Sequence, residues 1–358
     1  MPPVSKRCYY TTGDELTQKR VRNPLVASPL SSRFWACMIV LAILAAGCRV
    51  NPSILSSTTT AENLPSIRLL FEPDAQREPL LDLINSAKRS IRIETDLLDD
   101  KEIIDPLVAA KSRGVDVRVI LEAEPSGFPI GNKPAMDELL KGNVSVKTGN
   151  PAFKQTHAKT IVADNRVAAI FTVSQTQPAF VGFRSFVVID SNPSDVAEIT
   201  RVLDSDWNRS PATLSVSDLV WGPGQSRTRL LGLIDGAQRT IDIEAEQLQD
   251  NQIVERLKAA VQRGVTVRLI MSPIQTGIDE NLAAQDKLTK GGIQLRFLKN
   301  PEVHGTFIIA DQGRGFIGSQ DLTAVSLDSY RDLGIELHDP VTVRGMTLNF
   351  ASDWNASK

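Results

Sequence analysis

Cysteine is scarce in this chain of 358 residues, which contains only Cys8, Cys37 and Cys48. The long segment after position 48 therefore cannot form the disulfide framework that stabilises many small secreted domains. Histidine is equally rare, with three residues in the whole chain, and aromatic residues make up 5% of it. Because histidines are so few, the places where they stand are informative about chemistry.

An excess of basic charge is also missing. The chain has 40 basic and 42 acidic residues; residues 1–48 hold six basic and two acidic ones, which leaves 34 against 40, a net charge of −6. Affinity for nucleic acid comes largely from Lys and Arg side chains that neutralise phosphates. Nucleic acid is therefore an unlikely partner, and a nuclease would need a local basic groove.

No apolar segment reaches the roughly 20 residues that a membrane-spanning helix needs. The uncharged segment Phe34–Gly47 follows Arg33 and ends at Cys48. A basic flank, an apolar run and small residues before a cysteine resemble a bacterial lipoprotein signal, in which the thiol is acylated after cleavage. We therefore expect a signal peptide at 1–48 and a lipoprotein anchored through Cys48 on the extracytoplasmic side of the cell envelope. An uncleaved apolar anchor and a buried segment are the alternatives.

Serine and threonine dominate from Pro52 to Thr60, which predicts a flexible linker over residues 49–64. Beyond the linker, an internal repeat is the main organising feature. Leu80–Glu94 recurs 150 residues later as Leu230–Glu244 without a gap. The repeat predicts two similar domains, at 65–211 and 212–358.

Each copy alternates segments of helical apolar spacing with short β-branched segments. In the first copy, a helical pattern ends at Gly114, which suits a left-handed helix cap, and an apolar strand is predicted from Val115 to Leu121. Helices that alternate with strands predict an α/β fold. We expect two α/β domains related by a pseudo-twofold axis.

Two of the three histidines occupy equivalent positions in the copies, 147 residues apart. The surrounding segments are His157-Ala158-Lys159 followed by Asp164, and His304-Gly305-Thr306 followed by Asp311. The second copy continues as Gly318-Ser319-Gln320-Asp321, where the first has Phe171-Thr172-Val173-Ser174. The spacing H-x-K-x4-D and the segment G-S-x-N are those of the phospholipase D superfamily, which the chain resembles from about Ile67 to Trp354.

The resemblance implies that one histidine attacks phosphorus to form a phosphohistidine, while the other protonates the leaving alkoxide. Neither a metal nor another cofactor is implied. His157 is expected to be the nucleophile and His304 the general acid, with Lys159 as the third catalytic residue. One chain supplies both half-sites, so no oligomer is required.

The remaining expected roles also follow from the resemblance. Residues expected to contact substrate are Thr172, Thr306, Ser319 and Asp321. Asp164 and Asp311 are expected to stabilise the fold, and Asp332, in Arg331-Asp332-Leu333-Gly334, to orient a histidine. The first copy has Ser185 at the position equivalent to Asp332, so this orienting carboxylate is expected once.

The predicted function is hydrolysis of phosphodiester bonds in phospholipids or other phosphodiesters. Thr306 lacks the charge of the expected lysine, a loss that by analogy with an oxyanion donor costs about 10² to 10³ in rate. Restoring a lysine there is therefore expected to raise turnover. The alternatives are a weakly active or inactive binding protein, a nuclease and a phosphatidyltransferase.

Overall fold

The computed structural model describes residues 66–125, 130–274 and 279–358. The predicted signal peptide, its Cys48 and the linker lie outside these residues. Among the residues that are described, no helix combines the length and the apolar character needed to cross a bilayer.

Residues 66–211, the first half, form a sheet covered by helices. The strands are β1 Ile67–Glu72, β2 Ser90–Thr95, β3 Asp116–Leu121, β4 Ser145–Thr148, β5 Gln155–Thr156, β6 Thr160–Ala163, β7 Val167–Phe171 and β8 Phe183–Asp190. The α-helices are α1 Glu78–Ser86, α2 Lys101–Ser112, α3 Lys133–Lys141 and α4 Pro193–Trp207, and a 3-10 helix covers Gln177–Phe180. The sheet order is β1-β8-β7-β6-β2-β3-β4, with β2, β3 and β4 mutually parallel.

Residues 212–358, the second half, repeat this arrangement. The strands are β9 Leu219–Trp221, β10 Thr240–Ala245, β11 Thr266–Met271, β12 Gln294–Phe297, β13 Glu302–Val303, β14 Thr306–Ala310, β15 Arg314–Gly318, β16 Tyr330–Arg331 and β17 Leu333–Leu337. The helices are α5 Ser226–Gly236, α6 Asn251–Gln262, α7 Leu282–Lys290, α8 Ala324–Ser329 and α9 Pro340–Ala356. The sheet order β9-β17-β15-β14-β10-β11-β12 is the same topology. The predicted duplicated α/β fold is confirmed.

Equivalent helix signals act at equivalent places in the two halves. The Asp100 and Asp250 side chains cap α2 and α6 by accepting hydrogen bonds from backbone N–H groups of the first turn. Gly114 follows α2 with a φ of 91°, the left-handed conformation predicted from the sequence. The capped helix and its glycine deliver the chain into the buried parallel strand β3.

The two halves exchange short strand pairings at their interface. β5 pairs with β16 through Gln155 and Tyr330, and β13 pairs with β8 through Glu302 and Phe183. Each partner in one pairing is 147 residues from its equivalent in the other, as a pseudo-twofold axis requires. Since β5 and β13 directly precede the two histidine motifs, both motifs begin at the interface between the halves.

A core shared by both halves lies beneath this interface. The rings of Phe186 and Phe307 stack across it with centroids 4.6 Å apart. Each half also has a separate core between its sheet and its first helices. The shared apolar core fixes the halves against each other and thereby positions the residues at the interface.

Candidate active site

His157 enters the interface directly after β5. Its backbone N–H donates to the Arg331 carbonyl at 2.8 Å, and its Nδ1 lies 2.7 Å from Asp332 Oδ1. Asp332 is fully buried and also accepts hydrogen bonds from the Ser319 and Ser326 hydroxyls at 2.7 and 2.8 Å. The imidazole of the first half is thus held by a carboxylate of the second half.

The charges around His157 decide its protonation. Burial and the Lys159 charge act to lower the pKa of His157, but Asp332 outweighs them and the pKa is raised. Burial alone would raise the pKa of Asp332; the His157 and Lys159 charges instead hold it below its usual range. Because an ionised carboxylate only accepts hydrogen bonds, the proton of the neutral ring lies on Nδ1. The Nε2 lone pair of His157 is then available for nucleophilic attack.

Lys159 is a buried cation beside this histidine. Its Nζ donates to the His157 carbonyl at 3.1 Å and lies 3.5 Å from Asp96 Oδ2. Asp96 also accepts a hydrogen bond from the Ser174 hydroxyl at 2.7 Å, and its Oδ2 is 4.0 Å from His157 Nε2. Burial tends to raise the pKa of Asp96, but Lys159 and His157 hold it low. Asp96 Oδ2 therefore lies within 4.0 Å of both the Lys159 ammonium and His157 Nε2.

His304 follows β13 and is held differently. Its backbone N–H donates to the Arg184 carbonyl at 2.9 Å, repeating the contact of His157. Its Nδ1, however, lies 2.9 Å from Oε2 of Glu246, a residue of its own half that directly follows β10. The position equivalent to Asp332 is Ser185, as read from the sequence. A second carboxylate beside a histidine, which the sequence analysis missed, thus comes from a different position.

Three hydroxyls that were expected to contact substrate make hydrogen bonds within the protein. Thr172 Oγ1 donates to the His304 carbonyl at 3.0 Å, Ser319 Oγ to Asp332, and Thr306 Oγ1 to the Gln320 carbonyl at 2.6 Å. All three side chains are buried. Each hydroxyl therefore has an acceptor within the protein, and its contact with a phosphate stays a prediction.

Asp321 faces the site more directly. It is partly exposed, and its charge contributes to raising the pKa of His157. The same charge acts on Tyr330, whose pKa burial, Asp321 and Asp332 raise to about 12. Asp321 is the equivalent of Ser174, which donates to Asp96. The two copies therefore differ in charge at this position as well.

The motif aspartates lie away from the histidines, in the turns after β6 and β14. Asp164 accepts hydrogen bonds from the backbone N–H groups of Lys88, Arg89 and Ser90, at 3.0, 2.7 and 3.0 Å. Asp311 repeats this with Gln238, Arg239 and Thr240, at 2.8, 2.6 and 2.9 Å. These contacts pin each turn to the start of a central strand, which supports the structural role expected of both residues.

An aromatic ring that was not predicted from the sequence lies against each histidine. Tyr330 lies 5.5 Å from the His157 ring, and Phe183 stacks on His304 at 5.0 Å between ring centroids. Both rings come from the half opposite their histidine and are 147 residues apart. The ungapped alignment of the two motif segments pairs Phe183 with Tyr330, and this shared aromatic position is the signal that could have found them.

Two buried charge clusters cross the interface near the site. Arg331 is 2.8 Å from Asp206 of the first half, and Arg184 is 2.8 Å from Asp353 of the second. A glutamate of the central strand accompanies each pair. Burial, reinforced by the Asp206 charge, raises the pKa of Glu94 well above its ordinary value, and burial with Asp353 does the same for Glu244. Each cluster thus joins the two halves through an ion pair, and the two ion pairs are equivalent.

A known protein family matches most of this chain. The sequence profile of the family described as "Cardiolipin synthase, PLD-like domain" matches residues 80–207 and again 230–354, together well over half of the chain. The chain belongs to the phospholipase D superfamily.

Similar members of this superfamily differ in their activities. Cardiolipin synthase B of Salmonella typhimurium is 22% identical over 318 residues, covering 76% of each chain. Phosphatidylserine synthase of Haemophilus influenzae Rd KW20 has the same fold, with a TM-score of 0.64, 12% identity and coverage of 82% of this chain and 87% of that one. Polyphosphate kinase from Porphyromonas gingivalis gives a TM-score of 0.63 at 18% identity, over 81% of this chain, which spans about half of the kinase. The superfamily's members are enzymes that act on phosphoryl groups. Their activities differ, so membership does not distinguish hydrolysis from transfer.

Proposed function

We propose that this superfamily member cleaves a phosphodiester through a covalent phosphohistidine on His157. The observation that carries the proposal is the bond from His157 Nδ1 to the buried Asp332, which leaves the Nε2 lone pair free. Attack by Nε2 forms the N–P bond and breaks the bond from phosphorus to the leaving oxygen. The Lys159 charge, which shares Asp96 Oδ2 as a neighbour with Nε2, counters the negative charge that develops on the non-bridging oxygens.

His304 is proposed to serve as the general acid in this step. It gives a proton to the departing alkoxide, and it can take a proton from the incoming nucleophile in the second step. That nucleophile attacks the phosphohistidine, breaks the N–P bond and regenerates His157. Imidazole suits both directions because its ordinary pKa of about 6.5 makes either protonation state accessible.

The proposed first activity is hydrolysis, with water as the second nucleophile and phospholipid as the substrate class. Transfer to an alcohol is the second candidate, favoured by the match to cardiolipin synthase B over 76% of both chains. The two reactions share the first step and differ only in the acceptor. The net charge of −6 after residue 48 speaks against nucleic acid as substrate.

Product analysis tests the proposal. The protein is incubated with phosphatidylglycerol vesicles, with and without ethanol, and the lipids are separated by mass spectrometry. Phosphatidic acid indicates hydrolysis, whereas cardiolipin or phosphatidylethanol indicates transfer. Intact-protein mass spectrometry should detect a phosphatidyl adduct that His157→Ala abolishes. If no product or adduct forms, and vesicle binding is the same in His157→Ala, the chain is a lipid-binding protein instead.

We further propose that Cys48 carries a lipid that holds the catalytic domains at the membrane. The support is the apolar segment that ends at Cys48 and the Ser/Thr-rich stretch that follows it. Cys48→Ala should then release the protein from the membrane fraction and remove the acyl mass. A variant that still sediments with membranes, together with a wild type without acyl mass, would favour an uncleaved helix.

A further inference from the structure

The two half-sites use equivalent acidic residues for different purposes. Asp96 and Glu246 are 150 residues apart, and each directly follows the second strand of its half. In the first half, Asp96 Oδ2 is 3.5 Å from the Lys159 ammonium, while Ser174 donates to Oδ1. In the second half, Thr306 replaces the lysine, and Glu246 lies 2.9 Å from His304 Nδ1 instead.

Ser185 of the first half is equivalent to Asp332, and the hydroxyl groups that surround Asp332 are not conserved around Ser185. Asp332 is held by the hydroxyls of Ser319 and Ser326. The equivalents in the first half are Thr172, which donates to the His304 carbonyl, and Ala179, which has no hydroxyl. With Ser185 in place of the acid, neither the carboxylate nor its full set of donors is present.

We infer that Glu246 is the positioning residue of His304, and that Thr306, which stands where the first copy has Lys159, belongs to this arrangement. The inference rests on the proposed function in so far as His304 is the general acid. Glutamate is one methylene longer than Asp96, which gives Glu246 the reach to a ring nitrogen of its own half. Its carboxylate fixes the tautomer and stabilises the imidazolium that must donate the proton.

This pairing reverses the expectation drawn from the sequence for Thr306. A lysine introduced there would meet Glu246 as Lys159 meets Asp96, because the positions are equivalent. The new ammonium would then draw the carboxylate away from His304 Nδ1. Thr306→Lys alone should therefore lower turnover rather than raise it, by about 10- to 10²-fold, a part of what a positioned general acid contributes.

Histidine NMR tests the positioning without requiring turnover, since the chain has only three histidines to assign. In Glu246→Gln, the His304 resonance should titrate at lower pH than in wild type, while His157 and His338 stay unchanged. Asp332→Asn is the matched control and should move His157 alone. Thr306→Lys should reproduce the His304 shift. Unchanged His304 titration in Glu246→Gln, with the other two histidines still native, would overturn the inference.

A double-mutant cycle on turnover adds the second arm. If Thr306→Lys acts by capturing Glu246, the double variant Thr306→Lys/Glu246→Gln should be no slower than the slower single variant. For a nitrophenyl phosphodiester, whose leaving group needs no proton, the deficit in the adduct-forming step should shrink. Additive losses, or a rate increase in Thr306→Lys, contradict the inference. Absent turnover with the predicted NMR shifts would count against the phosphodiesterase and leave the positioning role standing.

Discussion

The carboxylate beside each histidine has a different origin in the two half-sites: the other half in one case and the same half in the other. His157 is bonded to Asp332 across the interface, whereas His304 is next to Glu246 from its own half. The motif of the first histidine has Lys159, whereas that of the second has Thr306 at the equivalent position. A nucleophile and a general acid need different surroundings, and a duplicated chain can meet them separately because the copies no longer have to be identical. The proposed nucleophile is His157, the histidine that has both Lys159 in its motif and a carboxylate from the other half.

The residues that join the two halves are symmetric, whereas the residues around the two histidines are not. Arg331–Asp206 and Arg184–Asp353 are equivalent pairs with the same separation, and both motif aspartates make the same three backbone contacts. Docking the halves and closing the turns are demands that fall equally on each copy. Around the histidines the copies differ: Thr306 stands where the first copy has Lys159, and Ser185 where the second has Asp332.

Removing each histidine in turn should give the largest contrast. His157→Ala should abolish turnover and the covalent adduct, a loss of at least about 10⁴-fold, because the N–P bond cannot form. His304→Ala should retain the adduct-forming step for a nitrophenyl phosphodiester and accumulate the adduct, because the second nucleophile is no longer deprotonated. Burst-phase kinetics and intact-protein mass spectrometry measure both outcomes.

His338→Ala is the control for this pair, since His338 is largely exposed and lies outside both motifs. It should behave as wild type. If instead His304→Ala loses the adduct and His157→Ala keeps it, the two roles are exchanged. The half-site comparison would then have assigned the nucleophile to the wrong histidine.

Asp332→Asn should cut turnover by about 10² to 10⁴, as expected when the orienting carboxylate of a histidine is lost. It should also move the acidic limb of kcat/KM to lower pH. The nucleophile works as the neutral ring, so activity rises as pH passes through the pKa of His157, and Asp332 is what raises that pKa. Rates measured between pH 4.5 and 8 check the sign.

Ser185→Asn places the same side chain at the equivalent position and serves as the matched control for Asp332→Asn. It should leave the acidic limb where wild type has it, because Ser185 is not beside His157. A limb that stays fixed in Asp332→Asn, or that moves towards higher pH, contradicts the account of His157.

Arg331→Met and Arg184→Met should lower the free energy of unfolding by similar amounts, about 3–5 kcal/mol each, because each strands a buried carboxylate. Urea denaturation at pH 7 measures both. Asp206→Asn should restore part of the loss in Arg331→Met, and Asp353→Asn should do so in Arg184→Met. Markedly unequal losses would show that the two clamps are not equivalent, and the symmetry of the scaffold would be limited to its geometry.

The sequence was sufficient to predict the duplicated α/β fold because the copies align over helices and strands in two segments, at offsets of 150 and 147 residues. It was also sufficient for Asp332, since Arg331-Asp332 stands where the superfamily has an orienting acid. It did not reveal Glu246. A residue next to a strand end has no motif spacing to mark it, and its contact with His304 depends on the path of the backbone.

The fate of the hydroxyls was equally beyond the sequence. Thr172, Thr306 and Ser319 match family positions, but each has a neighbouring backbone carbonyl or carboxylate within hydrogen-bond distance. A pattern gives the residue type, whereas only the fold shows which acceptor lies closest. The same holds for Lys159, whose ion pair with Asp96 joins residues far apart in the chain.

The smallest predicted effect concerns two acids that occur in the first half alone. Burial raises the pKa of Glu72 and of Asp190 to about 7, despite hydrogen bonds from the backbone N–H groups of Gln76 and Asn192. The equivalent positions in the second half are Gly222 and Leu337, which do not titrate. These two acids should therefore add a pH dependence of stability that has no equivalent at the same positions of the second half.

A raised pKa means that the folded state holds the proton more tightly than the unfolded chain. The contribution of each acid is complete below its ordinary pKa, 4.5 for Glu72 and 3.8 for Asp190, and is lost as pH rises through about 7. Glu72→Gln and Asp190→Asn should each reduce the fall in unfolding free energy between pH 5 and 8 by on the order of 1 kcal/mol, allowing for solvent screening. Urea denaturation at the two pH values measures the fall, and Asp116→Asn, at the partly exposed start of β3, is the control. An undiminished fall in the Glu72→Gln/Asp190→Asn double variant would place the titrating groups elsewhere and remove this difference between the halves.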